Sequence, residues 1–305
     1  MPSYLPLENG DCRRQYTGVL IAGSESDTIG DSYRPLGSGF FVAPYLVLTA
    51  RHVIDEVAEQ FHGCPIHEIA DSMAFGLDFS IQHSKYGHMI WSVMGYDYTS
   101  SIDVVAMWVE LRAPAELPAD FKWELPTLSL SQATVGQAIS VLGFPHSTHR
   151  MDQGVRAVIG VDPRESRGVI TAIHEQSRDR VMLPYPCFEA GVTTKGGMSG
   201  GPVFTADGNV IGVVGSSLEL GDSDEPDVSF ITAIWPTAGI HLRHTGSAQG
   251  VVKMDIRDEA AGSSLQALVD AGIVRAGRCL TSVDALGHVT LLIPDASREP
   301  LASPD

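Results

Sequence analysis

Basic residues are scarce in this chain of 305. Lys and Arg number 20 against 37 Asp and Glu, a formal net charge of −17. That balance argues against a nucleic-acid partner, which needs a basic face to neutralise phosphates. Cysteine is scarcer still. Cys12, Cys64, Cys187 and Cys279 are widely spread and form no paired motif, so a reducing compartment is expected rather than a disulfide scaffold. No apolar run approaches the roughly 18 residues of a spanning helix, which removes a membrane-embedded role from the expectations. The opening Met1 to Gly10 has neither the basic n-region nor the apolar h-region of a signal peptide, and a cytoplasmic protein is expected.

What the chain does contain is enough apolar residue, 44%, to build an ample core, together with 31 glycines. The most informative of these lie in Lys195-Gly196-Gly197-Met198-Ser199-Gly200-Gly201-Pro202-Val203. A serine between glycines, ahead of an apolar strand, suits a tight turn that exposes a nucleophilic hydroxyl. Glycine permits the positive φ of such a turn and a close approach of substrate to backbone. The amides of Gly197 and Ser199 would then serve as an oxyanion hole.

Two upstream segments add to this. Gly37-Ser38-Gly39-Phe40-Phe41-Val42 and Leu46-Val47-Leu48-Thr49, on either side of Ala43-Pro44, read as a hairpin leading into Ala50-Arg51-His52. Ser101-Ile102-Asp103-Val104-Val105-Ala106 is a polar start to a buried strand. Asp103 there has two bland alternatives: a capping role at the strand alone, and Asp97 as a nearby rival.

The three segments together resemble the chymotrypsin-fold, trypsin-like serine proteases, with their G-x-S-G-G-P, Thr-Ala-x-His and Asp-Ile-Ala-Leu-Leu motifs in that family's order. The character is closest to the bacterial, disulfide-free HtrA-like branch. The resemblance implies an all-β protein of two six-stranded β-barrels, with a catalytic triad of His52, Asp103 and Ser199 in the cleft between them. It implies a serine endopeptidase in which His52 takes the Ser199 proton, Asp103 orients the imidazole, and Gly197 and Ser199 hold the oxyanion. It also implies a protein or peptide substrate and a chemistry that needs no metal or organic cofactor. The alternative is a protease-fold binding or scaffold protein, latent until a regulatory partner triggers it.

Gly197-Met198-Ser199-Gly200-Gly201 also fits the G-x-S-x-G elbow of α/β-hydrolases. That elbow precedes a helix, whereas Pro202-Val203-Phe204 before Asp207-Gly208 reads as strand and hairpin turn. Val53 stands where secreted relatives carry a cysteine. Met198 stands where their zymogens carry an activating aspartate, so activation by N-terminal cleavage is not expected.

By position relative to Ser199, the resemblance implies Thr193 and Thr194 at the base of the primary pocket and Gly215, Ser216 and Ser217 as the edge that pairs with substrate backbone. Glutamate-specific relatives share the threonine at Thr194 but have a histidine at Val214, and a basic-specific aspartate is absent at Thr193. A small or medium uncharged residue at the cleaved position is expected. The acidic run Glu219 to Asp227 reads as a solvated loop, with attraction of basic substrates as the functional alternative. His62, Cys64, His67 and Asp71 fit no ordinary zinc spacing.

The expected organisation is a protease domain over 14–244, its lobes at about 14–113 and 129–244, followed by a short C-terminal α/β extension, 245–305. Tyr16 to Gly23 reads as the first strand, and Pro114 to Asp120 as the lobe connection. His241 to His244 reads as the end of a terminal helix of lobe two. In the extension, Ser264 caps a helical stretch with Leu265, Leu268 and Val269 on one face, and Val289 to Ile293 reads as a strand. Its length is too short for the roughly ninety-residue peptide-binding domain of HtrA-like proteins.

Overall fold

The computed structural model describes residues 3–22, 34–64, 66, 76–152, 156–218, 228–242, 263–277, 281–283 and 289–291. The acidic run Glu219 to Asp227, His67, Asp71, His244, Cys279 and the segment from Pro294 onward lie outside them.

A short strand, β1 (Ser3–Pro6), precedes the first barrel. The barrel comprises β2 (Thr17–Ala22), β3 (Arg34–Ala43), β4 (Leu46–Thr49), β5 (Leu77–His83), β6 (Gly87–Tyr98) and β7 (Val105–Ala113), closed in the order β2-β3-β4-β7-β6-β5. Between β4 and β5 lies the helix α1 (Arg51–Val57). Every residue of β2 is buried, which a single-faced strand would not show. Leu20 and Ala22 face the barrel core, whereas Val19 and Ile21 pack on Phe144 of the second barrel. The strand is therefore part of both the barrel wall and the seam between barrels.

The second barrel uses β8 (Ala138–Gly143), β11 (Arg164–His174), β12 (Cys187–Ala190), β13 (Pro202–Thr205), β14 (Val210–Leu218) and β15 (Val228–Ala233). A hairpin of β9 (Thr148–Asp152) and β10 (Arg156–Gly160) stands apart. The ring β8-β11-β12-β15-β14-β13 closes through β13 onto β8, at Val203 opposite Val141, and β1 adds to β11 outside the ring. Ile139, Val141, Ile170, Phe188, Val203, Val214 and Ile231 fill it, and Met198 joins them. The molecule is thus all-β, two closed six-stranded antiparallel barrels, as the motifs imply.

His241–Leu242, the described part of the run expected to end a terminal helix, is a strand instead. After β15 comes one 3-10 turn, Trp235–Gly239, and then the strand β16 (His241–Leu242) paired with β17 (Ser263–Ser264). Ile240 and Leu242 are buried and His241 is exposed, a period of two that belongs to a strand. Helix α2 (Leu265–Asp270) follows, with the Ser264 hydroxyl accepting from the Ala267 amide at 3.4 Å. Leu265, Leu268 and Val274 are buried beside Leu128, Ile240 and Leu242, so the described part of the extension packs into the body. The last pair is β18 (Thr281–Val283) with β19 (Val289–Leu291).

Candidate active site

The hairpin β3–β4 delivers Thr49-Ala50 to the start of α1. Val53, Ile54 and Val57 form the buried face of this helix and fix its rotation, leaving His52 partly exposed. Ala50 offers no side-chain cap to the first-turn amides. Asp103, in the turn before β7, supplies the missing acceptors. Its backbone carbonyl accepts from the Arg51 amide at 3.3 Å, and its Oδ1 accepts from the His52 amide at 2.9 Å. Its Oδ2 lies 2.7 Å from His52 Nδ1. One carboxylate, held between buried Ile102 and Val104, thus fixes both the helix start and the ring. Asp97 is engaged elsewhere, its Oδ2 accepting from Trp108 Nε1 at 3.3 Å in the interior of barrel one.

Burial works to lower the His52 pKa, but the hydrogen bond and charge of Asp103, joined by the charges of Asp55 and Glu56, win and hold it above the ordinary histidine value. Tyr185 adds to the same cluster. Burial and the nearby Asp103 charge push its phenol up, so it stays protonated. Nothing in the local sequence around Tyr185 marks it. The Asp103 charge that it feels comes from the turn before β7, in the other barrel.

Ser199 lies in the loop between β12 and β13. Met198 is fully buried in barrel two and anchors the loop from below. From the other side, Gly200 is pressed into the β4–α1 corner at φ 84°. A Cβ there would sit 2.1 Å from Thr49 Oγ1 and 2.2 Å from the Ser38 carbonyl oxygen. Only glycine fits both that dihedral and that gap. The loop therefore meets the histidine's helix directly, and a Cβ on Gly37 would lie 2.9 Å from both the Ser199 carbonyl and Val53. The Ser199 hydroxyl donates to the Gly215 carbonyl at 3.0 Å. Among the described residues it makes no hydrogen bond to His52.

Within the loop, the amides of Met198, Gly200 and Gly201 donate to Lys195, Val214 and Met198 carbonyls. The Gly197 and Ser199 amides meet no acceptor among the described residues. Gly197 itself has φ 89°.

The residues expected to line the primary pocket are distributed as follows. The Thr193 amide donates to Ser166 Oγ at 3.0 Å. Thr194 is buried, its hydroxyl 2.8 Å from that of Ser229, which in turn donates to the Val192 carbonyl at 2.8 Å. The Ser229 proton is thereby committed, so Thr194 donates and Ser229 accepts. Gly215 is buried, and Ser216 and Ser217 are exposed where the β14–β15 register shifts between Val214 and Ser217.

Residues 37–213 match the family model of the trypsin-like peptidase domain, more than half of the chain. The protein belongs to that family. Among solved structures, this trypsin-like chain is similar to the active form of the Rv3671c protease from M. tuberculosis, at 18% identity and a TM-score of 0.47, over 79% of this chain and 85% of that one. It is also similar to human heparin binding protein, at 14% identity and a TM-score of 0.47, over 76% of this chain and 91% of that one. Among curated proteins, none is significantly similar in sequence.

Proposed function

We propose that this trypsin-like protein is a serine endopeptidase acting by acyl transfer through His52, Asp103 and Ser199. The observation that carries the reading is Asp103 Oδ2 at 2.7 Å from His52 Nδ1, with the Ser199 loop wedged against the same helix corner. An imidazole held by a carboxylate on Nδ1 keeps Nε2 as the basic nitrogen, the tautomer that general-base attack by a serine requires. The Ser199 hydroxyl engages it by leaving the Gly215 carbonyl, a step between staggered χ1 wells. The two unspent amides of Gly197 and Ser199 are suited to the oxyanion. In this reading the amine leaves with the proton that His52 took from Ser199, and water then releases the acyl group from Ser199 with His52 again as the base.

A neutral pair of hydroxyls, Thr194 and Ser229, at the expected pocket base supports small, uncharged residues at the cleaved position. A peptide library checks this, and a strong preference for arginine or lysine overturns it.

One observation favours a second reading, a latent or peptide-binding protein: Ser199 is bonded to Gly215 rather than to His52. A fluorophosphonate probe separates the two. Labelling that vanishes in Ser199→Ala, with a loss of at least about 10⁴-fold in peptide hydrolysis, supports the peptidase. Absence of labelling across pH 5–10 supports the second reading.

A further inference from the structure

Ser38 lies on β3 in barrel one, more than a hundred residues before the nucleophile loop, and it is fully buried. Its hydroxyl donates to the Gly197 carbonyl at 2.7 Å and accepts from the Phe144 amide at 3.0 Å. Its own amide donates to the Ser199 carbonyl at 2.7 Å, and its carbonyl accepts from Thr49 Oγ1 at 2.7 Å. One residue of the first barrel thus grips the carbonyls on both sides of Met198 and reaches the end of β8.

The grip matters because of what it holds. Gly197 follows Gly196 and sits at φ 89°, in a region where a glycine has wide freedom to rotate. The direction of its N–H then depends on what restrains the neighbouring peptide planes. On the Met198 side, the buried side chain fixes the chain. On the Gly197 side, among the described residues, the carbonyl's restraint is the Ser38 hydroxyl.

We infer that Ser38 is a positioning residue, an inter-barrel latch that fixes the Gly197–Met198 peptide and, through the torsions on either side of it, holds the Gly197 and Ser199 amides ready for an oxyanion. The inference rests on the peptidase reading above. The hydroxyl touches no substrate and acts only through the loop. Its donor and one acceptor site are both used, so alanine leaves the Gly197 carbonyl and the Phe144 amide without their partner. The amide bond to Ser199 persists in any such variant, because it is made by the backbone.

The test compares Ser38→Ala with Ser38→Thr, which keeps the hydroxyl, and with Thr237→Val, which removes a buried hydrogen bond within the Trp235–Gly239 turn. Ser38→Ala is expected to lower kcat about 10- to 100-fold with KM little changed, since misplacing a charge-stabilising group acts on the transition state. Inhibition by a peptide boronic acid, whose tetrahedral adduct places an oxygen at the amides, weakens in parallel. Affinity for a non-cleavable peptide of the same sequence does not. Ser38→Thr recovers most of kcat, and Thr237→Val lowers Tm while leaving kcat intact. If Ser38→Ala does not fold, Ser38→Cys retains a weaker donor and shows the same ordering at smaller amplitude. Full kcat and boronate affinity in a folded Ser38→Ala overturns the latch, as does equal weakening of boronate and peptide binding. A wild-type protein that neither labels nor cleaves overturns the peptidase reading instead, so the two failures are distinguishable.

Discussion

At the scale of single residues, the proposed mechanism gives His52 control of the pH behaviour. Its pKa is held up by the Asp103 hydrogen bond and charge against the opposing effect of burial. General-base attack needs the neutral ring, so activity is expected to rise with pH through a midpoint above the ordinary histidine value of about 6.5. The stability that accompanies the raised pKa has the opposite dependence: it is fully present below the unfolded-state value and is lost as pH rises through the folded one. Asp103→Asn removes the cause, so the midpoint falls and kcat drops by about 10⁴-fold. Asp97→Asn affects the Trp108 contact in barrel one and is expected to lower Tm with kcat/KM within a few-fold of wild type. Rate-versus-pH profiles of the three proteins decide the matter. A crippled Asp97→Asn beside a mild Asp103→Asn would reverse the assignment.

Among the elements, the loop between β12 and β13 tolerates little change. Gly200 combines φ 84° with neighbours that cannot yield, a backbone carbonyl and a short buried hydroxyl. Gly200→Ala is expected to cost more than about 3 kcal/mol and to abolish activity, because relief means moving the loop away from β3. Gly208, in the β13–β14 turn, has φ 78° with nothing within 4 Å of its Cβ position. Gly208→Ala is expected to cost about 1 kcal/mol and leave activity unchanged. Denaturant unfolding of both variants checks the contrast, and equal losses would show that the dihedral rather than the close packing governs. The same element shows how far a local reading extends. The loop's turn chemistry is written in its own glycines, but its partners Ser38, Thr49 and Phe144 are remote in the chain, and no local pattern announces them.

For the whole molecule, the segment before β2 ties the barrels together. Arg13 bonds Asp11 and Glu165, and Arg167 shares Glu165, while the Tyr16 carbonyl accepts from Phe41 in barrel one. Burial pushes the Asp11 and Glu165 carboxyls upward, but hydrogen bonds from the arginines outweigh it and hold both below the ordinary range. A depressed carboxyl contributes stability above its unfolded-state pKa and loses it as pH falls through the folded one. Stability is therefore expected to fall below about pH 4. Glu165→Gln should cost on the order of 2 kcal/mol at neutral pH and much less at pH 3. Calorimetry at both pH values tests this, and an equal Tm difference at the two would remove the ionic explanation.

By itself the sequence determined the chemistry-bearing turns and the class of fold. The glycines of the 196–201 turn, the apolar strands around Thr49-Ala50 and the polar break at Asp103 act over a few residues, where turn sterics and side-chain periodicity operate. The motifs pointed to Asp103, but only the tertiary structure removed Asp97 as a rival, because β6 turns Asp97 toward Trp108 in the core and the turn before β7 brings Asp103 to α1. It also decided that His241–Leu242 is a strand, since its partner Ser263–Ser264 lies far along the chain, and that Ser3–Pro6 adds to β11. The clusters around Tyr185 and Ser38 belong to the same class. A hydrogen bond between barrels is formed when two closed sheets are pressed together, and the residues that make it need no distinctive neighbours in sequence.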